Sequence, residues 1–170
     1  MYMIYENDGA AGTLLPDSLS RWGWDDFFQA AFDALGAQAE ARDHEAGVAR
    51  PGDAEGDRAL ERARVVEARR GSYLIIMQGP DGAAVEDVAL LSGKARLLID
   101  QGADAPSVGD WVTDYKAPGG SFMIEGVLPR KTVFSRQAPG DEAYDRIAAQ
   151  VLAAHVDLAF LIDAAGNDFS

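Results

Sequence analysis

Cysteine is missing from all 170 residues. That excludes a disulfide framework, a thiolate metal site and a cysteine nucleophile. Only two histidines are present, His44 and His155, too few for a histidine-built metal centre. Positive charge is scarce: 15 Lys and Arg stand against 28 Asp and Glu, a formal charge of -13. An acidic balance of this size argues against binding nucleic acid over the whole surface, though an average hides local patches. Long apolar runs are missing as well, since no stretch approaches the ~18 residues of a membrane span. Met1 to Gly9 carries Glu6 and Asp8 and no base, unlike a secretory signal. The default expectation is a soluble cytoplasmic protein with no membrane partner. At 48% hydrophobic residues the chain has the apolar content of a globular protein.

The charge is unevenly spread. Met1 to Leu60 holds 12 acids and 4 bases, and Asp141 to Ser170 holds 6 and 1. Glu61 to Gly140 holds 10 of each, so most of the basic residues lie in this neutral middle.

Trp24, Phe27, Phe28, Ala31, Phe32 and Leu35 recur at steps of three and four, which predicts a helix over about Gly23 to Leu35. Asp25 and Asp26 suit its positive end, and Gly36 suits a stop. A helix this short must dock its aromatic face on something. Gly36 to Asp57, poor in large apolar residues, reads as a flexible linker with His44 in solvent.

From Ala63 the period shortens. Arg64 to Ala68 and Tyr73 to Met77 read as strands around the turn Arg69-Arg70-Gly71-Ser72. Glu86 to Leu91 and Ala95 to Asp100 read as strand pieces around Ser92-Gly93. Trp111 to Tyr115 alternates like a half-buried strand, with Trp111 as barrel core. Phe122 and Ile124 share one side of the next strand, after the turn Ala117 to Gly120. Five short strands in roughly 75 residues suit a small closed barrel, of which the five-stranded OB-fold is the leading form. Beyond Pro139 and Gly140, Asp141 to Ala149 is polar with helical character. Val156 to Ile162 then reads as a strand buried on both faces, the opening strand of an α/β domain. The expected fold is mainly β: a leader over 1–59, an OB-fold barrel over 60–138, and the start of an α/β domain over 139–170.

Several motifs fall in a telling order. They are Leu91-Ser92-Gly93-Lys94-Ala95-Arg96, Val108-Gly109-Asp110-Trp111-Val112, Leu128 to Arg136, Ala138-Pro139-Gly140, Gln150 to Asp157, and Asn167-Asp168-Phe169. With Ala63 to Val66 ahead of them, this series resembles the ribosome small-subunit-dependent GTPase A family over about Ala63 to Phe169. The resemblance extends more loosely to Leu19 to Leu35. It implies an N-terminal OB-fold, a circularly permuted GTPase domain and a zinc-binding domain. It also implies a role in late small-subunit maturation, with the small ribosomal subunit and its rRNA as partners and a monomeric full-length protein. GTP, magnesium and zinc are implied for that full-length protein.

The 170 residues contain no N-K-x-D and no G-x-x-x-x-G-K-[ST], so no cofactor is expected to bind this chain by itself. Gly93-Lys94 runs into Ala95 and does not form the phosphate loop. Asp163-Ala164-Ala165-Gly166 matches D-x-x-G only formally. His155 stands where the family more often has Asn. No catalytic residue is expected, and the chemistry left is recognition. The candidate rRNA-binding residues are Arg69 and Arg70 on the first hairpin, Lys94 and Arg96 alternating on one strand, and Arg130, Lys131 and Arg136 past the barrel. Two other readings stay open: a stand-alone OB-fold binding single-stranded nucleic acid or a protein, and an interaction protein that docks through its leader.

Overall fold

The computed structural model describes residues 18–46, 60–137 and 149–160. A 3-10 turn, Ser18–Trp22, precedes helix α1, Asp26–Ala46. Strands β1 (Glu61–Arg69), β2 (Ser72–Gln78) and β3 (Ala84–Leu91) follow, then helix α2 (Gly93–Asp100). Strands β4 (Trp111–Lys116) and β5 (Phe122–Val127) complete the barrel, and β6 (Val133–Gln137) and β7 (Ala149–Ala154) come after it.

The barrel closes in the order β1-β2-β3-β5-β4. All its pairings are antiparallel except β3 with β5. This order, with a helix between the third and fourth strands, is the five-stranded OB-fold. Alternation builds its interior. Ala63 and Val65 face inward from β1, and Tyr73, Ile75 and Met77 from β2. Ala89, Val112, Phe122 and Ile124 complete that core. A bulge between Val65 and Glu67 bends β1, so that its first half pairs with β4 while most of the strand pairs with β2.

Four expectations change. Ala95 to Asp100 is not a strand but most of α2. The Ser92 hydroxyl oxygen accepts from the Ala95 amide at 3.0 Å and caps the helix. Ala95, Leu98 and Ile99 also fit helical spacing, so the apparent alternation was ambiguous. Second, α1 starts at Asp26 and passes through Gly36 to Ala46, into the expected linker. One glycine costs a helix only about 1 kcal/mol, and the following Ala, Gln, Glu and Arg are strong helix formers. The Asp25 carboxylate accepts from the Phe27 and Phe28 amides and caps its start.

Third, Trp111 is fully buried, but outside the barrel interior. It belongs to a second cluster with Leu19, Trp24, Phe28 and Leu128, against which Ala31, Phe32 and Leu35 pack. Val112 points into the barrel, so its neighbours Trp111 and Thr113 point outward. The leader covers them, and β4 is therefore buried on both faces over Trp111 to Asp114. Fourth, 156–160 forms no strand, and Leu158 and Phe160 are exposed. Strand geometry needs hydrogen bonds to a neighbour, and among the described residues none flanks this run. The observed strand lies earlier, as β7, and pairs antiparallel with β6. Residues 138–148 and 161–170, with most of the expected polar helix and the D-x-x-G match, lie outside the described residues, as do residues 47–57 of the linker and the first 17 residues.

Candidate nucleic-acid interface

The barrel meets the β6–β7 hairpin at a tight joint. Gly109 donates to the Val65 carbonyl at 2.8 Å, and Val65 donates to the Asp110 carbonyl at 2.9 Å. Ala154, at the end of β7, donates to the Val108 carbonyl at 2.9 Å. Gly109 sits at φ +90°, where a Cβ would overlap the Ala154 carbonyl oxygen. Only glycine satisfies both the conformation and the approach. Beside it Asp110 is fully buried and takes a forked pair of bonds from Arg130, both at 2.7 Å, and a third from the Ser107 amide at 2.8 Å. Arg130 also donates to Asp104 and to the Ala105 carbonyl. The bond from Asp110 pushes the guanidinium up from its ordinary value.

This geometry redistributes the seven candidate bases. Arg130 has a side chain only 10% exposed and all of its nitrogens engaged, so it holds the joint together. Lys94 and Arg96 do not share a strand face. Two residues apart on a helix, they project about 200° from one another. Lys94 pairs with Glu125 at 2.8 Å, and Arg69 with Glu67 at 2.7 Å. Arg136 donates to Gln150. Lys131 is ion-paired with Asp25 and lies over the Phe27 and Phe28 rings, 5.1 and 4.7 Å from their centroids. Arg70 and Arg96 are exposed, with no side-chain partner among the described residues. The structure thus does not gather the seven into one patch.

Two cations absent from that set occupy the wall of β1. Arg62 and Arg64 flank the inward-facing Ala63 and so face out. Arg62 lies 5.1 Å from the Trp24 ring centroid and donates to Gln29 at 2.8 Å. Arg64 lies 5.6 Å from the Trp111 ring centroid and donates to the Gly109 carbonyl. The alternation Arg62-Ala63-Arg64-Val65 was a usable signal for them.

His155 closes the joint. Its backbone lies in the left-handed region at φ 56°, which Asn, Asp and His tolerate best. Its Nδ1 accepts from the Lys131 amide at 3.3 Å, and its ring meets Phe28 edge-on at 4.8 Å. Burial holds its pKa below the ordinary histidine value; Asp110 works against that, while Arg64, Lys131 and Arg130 reinforce it.

Over 162 residues the chain is 30% identical to the Small ribosomal subunit biogenesis GTPase RsgA of Opitutus terrae, covering 90% of this chain and 36% of that protein. It is 33% identical over 118 residues to RsgA of Syntrophotalea carbinolica, covering 64% of this chain and 29% of that one. The chain belongs to the RsgA family. It spans about a third of the length of the curated RsgA proteins it matches. Two solved structures also align. YloQ, a circularly permuted GTPase, covers 44% of this chain at 17% identity and a TM-score of 0.35. YjeQ from Thermotoga maritima covers 55% at 22% identity and a TM-score of 0.37. The corresponding fractions of those chains are 24% and 27%. No family model matches the chain.

Among the described residues no three His, Asp or Glu side chains converge as metal ligands, and the sequence carries no phosphate loop. No described helix is long and apolar enough to cross a membrane.

Proposed function

We propose that this chain acts as the rRNA-binding, small-subunit-docking OB module of a GTPase that matures the small ribosomal subunit. The observation that carries the proposal is the 162-residue match to a small-subunit biogenesis GTPase, falling on a chain whose barrel is an OB-fold. OB-folds bind irregular nucleic acid through cations and loops around the barrel. Here the exposed cations that we assign to RNA are Arg69 and Arg70 on the β1–β2 hairpin, Lys94 and Arg96 on α2, and Lys131 and Arg136 past the barrel. Weak exposed ion pairs such as Arg69–Glu67 and Lys94–Glu125 exchange readily for phosphate. Arg130 supports them by holding the joint. On this reading the protein works in the cytoplasm as a monomer, and GTP hydrolysis belongs to the family's full-length architecture.

Binding of purified small subunits, measured by cosedimentation at increasing salt, tests the proposal. Saturable, salt-sensitive binding is expected, and no binding at low salt would overturn it. A second reading, contact with a protein, draws on the outer face of β2–β3. Leu74 pairs with Val88 there, Leu90 lies two residues further along β3, and Glu67 opposite Leu74 on β1 and Glu86 on β3 border them. Val88→Asp would weaken subunit binding without changing its salt dependence if that face touches a ribosomal protein.

A further inference from the structure

The wall formed by β1 and β4 presents an aromatic ring bordered by cations, and α1 lies on top of it. Arg64 and Trp111 are directly opposite in the ladder, as are Arg62 and Thr113. Lys131 stands on the connection after β5. Trp111, Arg62 and Lys131 are all engaged by one turn of the leader. Trp24 meets Trp111 edge-on at 4.8 Å and lies under Arg62. Asp25 takes the Lys131 ammonium. A flat aromatic ring beside an anion is also the chemistry of a nucleotide, whose base stacks on arginine and tryptophan and whose phosphate pairs with lysine. The Trp111 indole N–H is buried with no hydrogen-bond partner among the described residues. A protein core normally supplies that acceptor, and a base carbonyl or a phosphate oxygen would.

We infer that this wall is a single-stranded RNA site, taking a base against Trp111 and Arg62 and a phosphate on Lys131, and that Trp24 and Asp25 occupy it as an internal stand-in. The inference rests on the RNA-binding reading above and adds to it a site and a competitor. RNA must displace the first turn of α1 to reach Trp111. The apparent affinity therefore falls by the fraction of molecules in which that turn is open. The leader's acidity strengthens the competition, since the segment up to Leu60 holds 12 acids against 4 bases.

The test uses the full chain and a fluorescein-labelled oligouridylate of roughly a dozen nucleotides, within the span of one OB-fold, read by fluorescence anisotropy. Asp25→Asn alters an exposed side chain and leaves the apolar seat intact. It is expected to tighten binding about threefold, and Trp24→Ala with Asp25→Asn about tenfold, the release expected when the open form is around a tenth of the population. Arg62→Ala in either background is expected to weaken binding, and its effect is larger where the leader is weakened. Should Trp24→Ala unfold the protein, hydrogen exchange on the unmodified chain decides. Saturating RNA is expected to speed exchange of the Phe27 to Ala31 amides and leave β1 protected. If RNA binds, Arg69→Ala with Arg70→Ala weakens it, and neither the leader variants nor α1 exchange respond, the inference falls and the RNA-binding reading stands. If no form of the chain binds, both fall.

Discussion

Asp114 is the residue whose chemistry sits least comfortably in this fold. It is fully buried on the barrel side of β4, and among the described residues no other residue donates a hydrogen bond to its carboxylate. Burial, with Glu61 opposite it in the ladder, raises its pKa from 3.8 to about 7. The folded state therefore holds a proton that the unfolded chain releases near pH 4. Stability is greatest below that point and declines as pH rises to about 7, by on the order of 4 kcal/mol in all. Asp114→Asn is expected to remove this slope, raising the urea midpoint at about pH 8 and changing it little near pH 4. An unaltered slope would show that another group carries it. His155 works in the opposite sense. Its pKa is lowered, so the unfolded chain takes up a proton that the fold resists, and stability is lost as pH falls below 6.5. His155→Asn keeps a residue suited to φ 56° and an acceptor for the Lys131 amide. It is expected to flatten the profile below pH 6.5 while preserving the joint, as read from the same urea titrations.

At the scale of elements, α1 depends on the barrel more than the barrel depends on α1. Its apolar side is narrow, and Trp24 and Phe28 are held mainly by Trp111 and Leu128. Trp111→Ala is expected to cost about 3–5 kcal/mol, first as lost protection of α1 and only then as melting of β4. Equal loss in β2 and α1 by hydrogen exchange would mean that leader and barrel unfold as one unit. Ser92→Ala is expected to cost α2 about 1 kcal/mol by removing its cap, measurable as a lower urea midpoint. These dependencies bear on what could be read in the sequence. The strands of the first hairpin, β4 and β5 were legible because they are short runs rich in β-branched and aromatic residues bounded by turn residues such as Arg70-Gly71 and Pro118-Gly119. The motif Val108 to Val112 carried the family. Helix α2 was not legible, because Ala95, Leu97, Leu98 and Ile99 satisfy both periods and only the Ser92 cap decides between them. The outward burial of Trp111 was equally hidden. Alternation fixes which residues share a face, but the covering of that face is a tertiary event. Arg130 looked like a surface base for the same reason, since its partner Asp110 lies twenty residues away.

For the molecule as a whole, the governing fact is that an acidic chain carries its cations on separate small surfaces. The net charge of -13 repels a polyanion at long range, yet Arg69, Arg70, Lys94 and Arg96 are all exposed. These two effects respond differently to salt. Phosphate contacts release counterions, so affinity falls linearly with the logarithm of salt, with a slope of about -0.7 per contact on single strands. Repulsion from the leader acts across solvent and fades once the screening length shrinks to ~8 Å near physiological ionic strength. Replacing all four cations by Ala is expected to weaken small-subunit binding and to make the salt slope shallower by roughly three. Neutralising leader acids in the last turns of α1, Glu40→Gln with Asp43→Asn, is expected to tighten binding at low salt and to have little effect at high salt. The two sets of variants therefore move the lines in distinguishable ways: the first rotates the plot of affinity against salt, and the second shifts only its low-salt end. A four-cation variant that keeps both the parent's affinity and its slope would mean that these bases are solvated. Docking would then rest on the β1–β4 wall and the β2–β3 face.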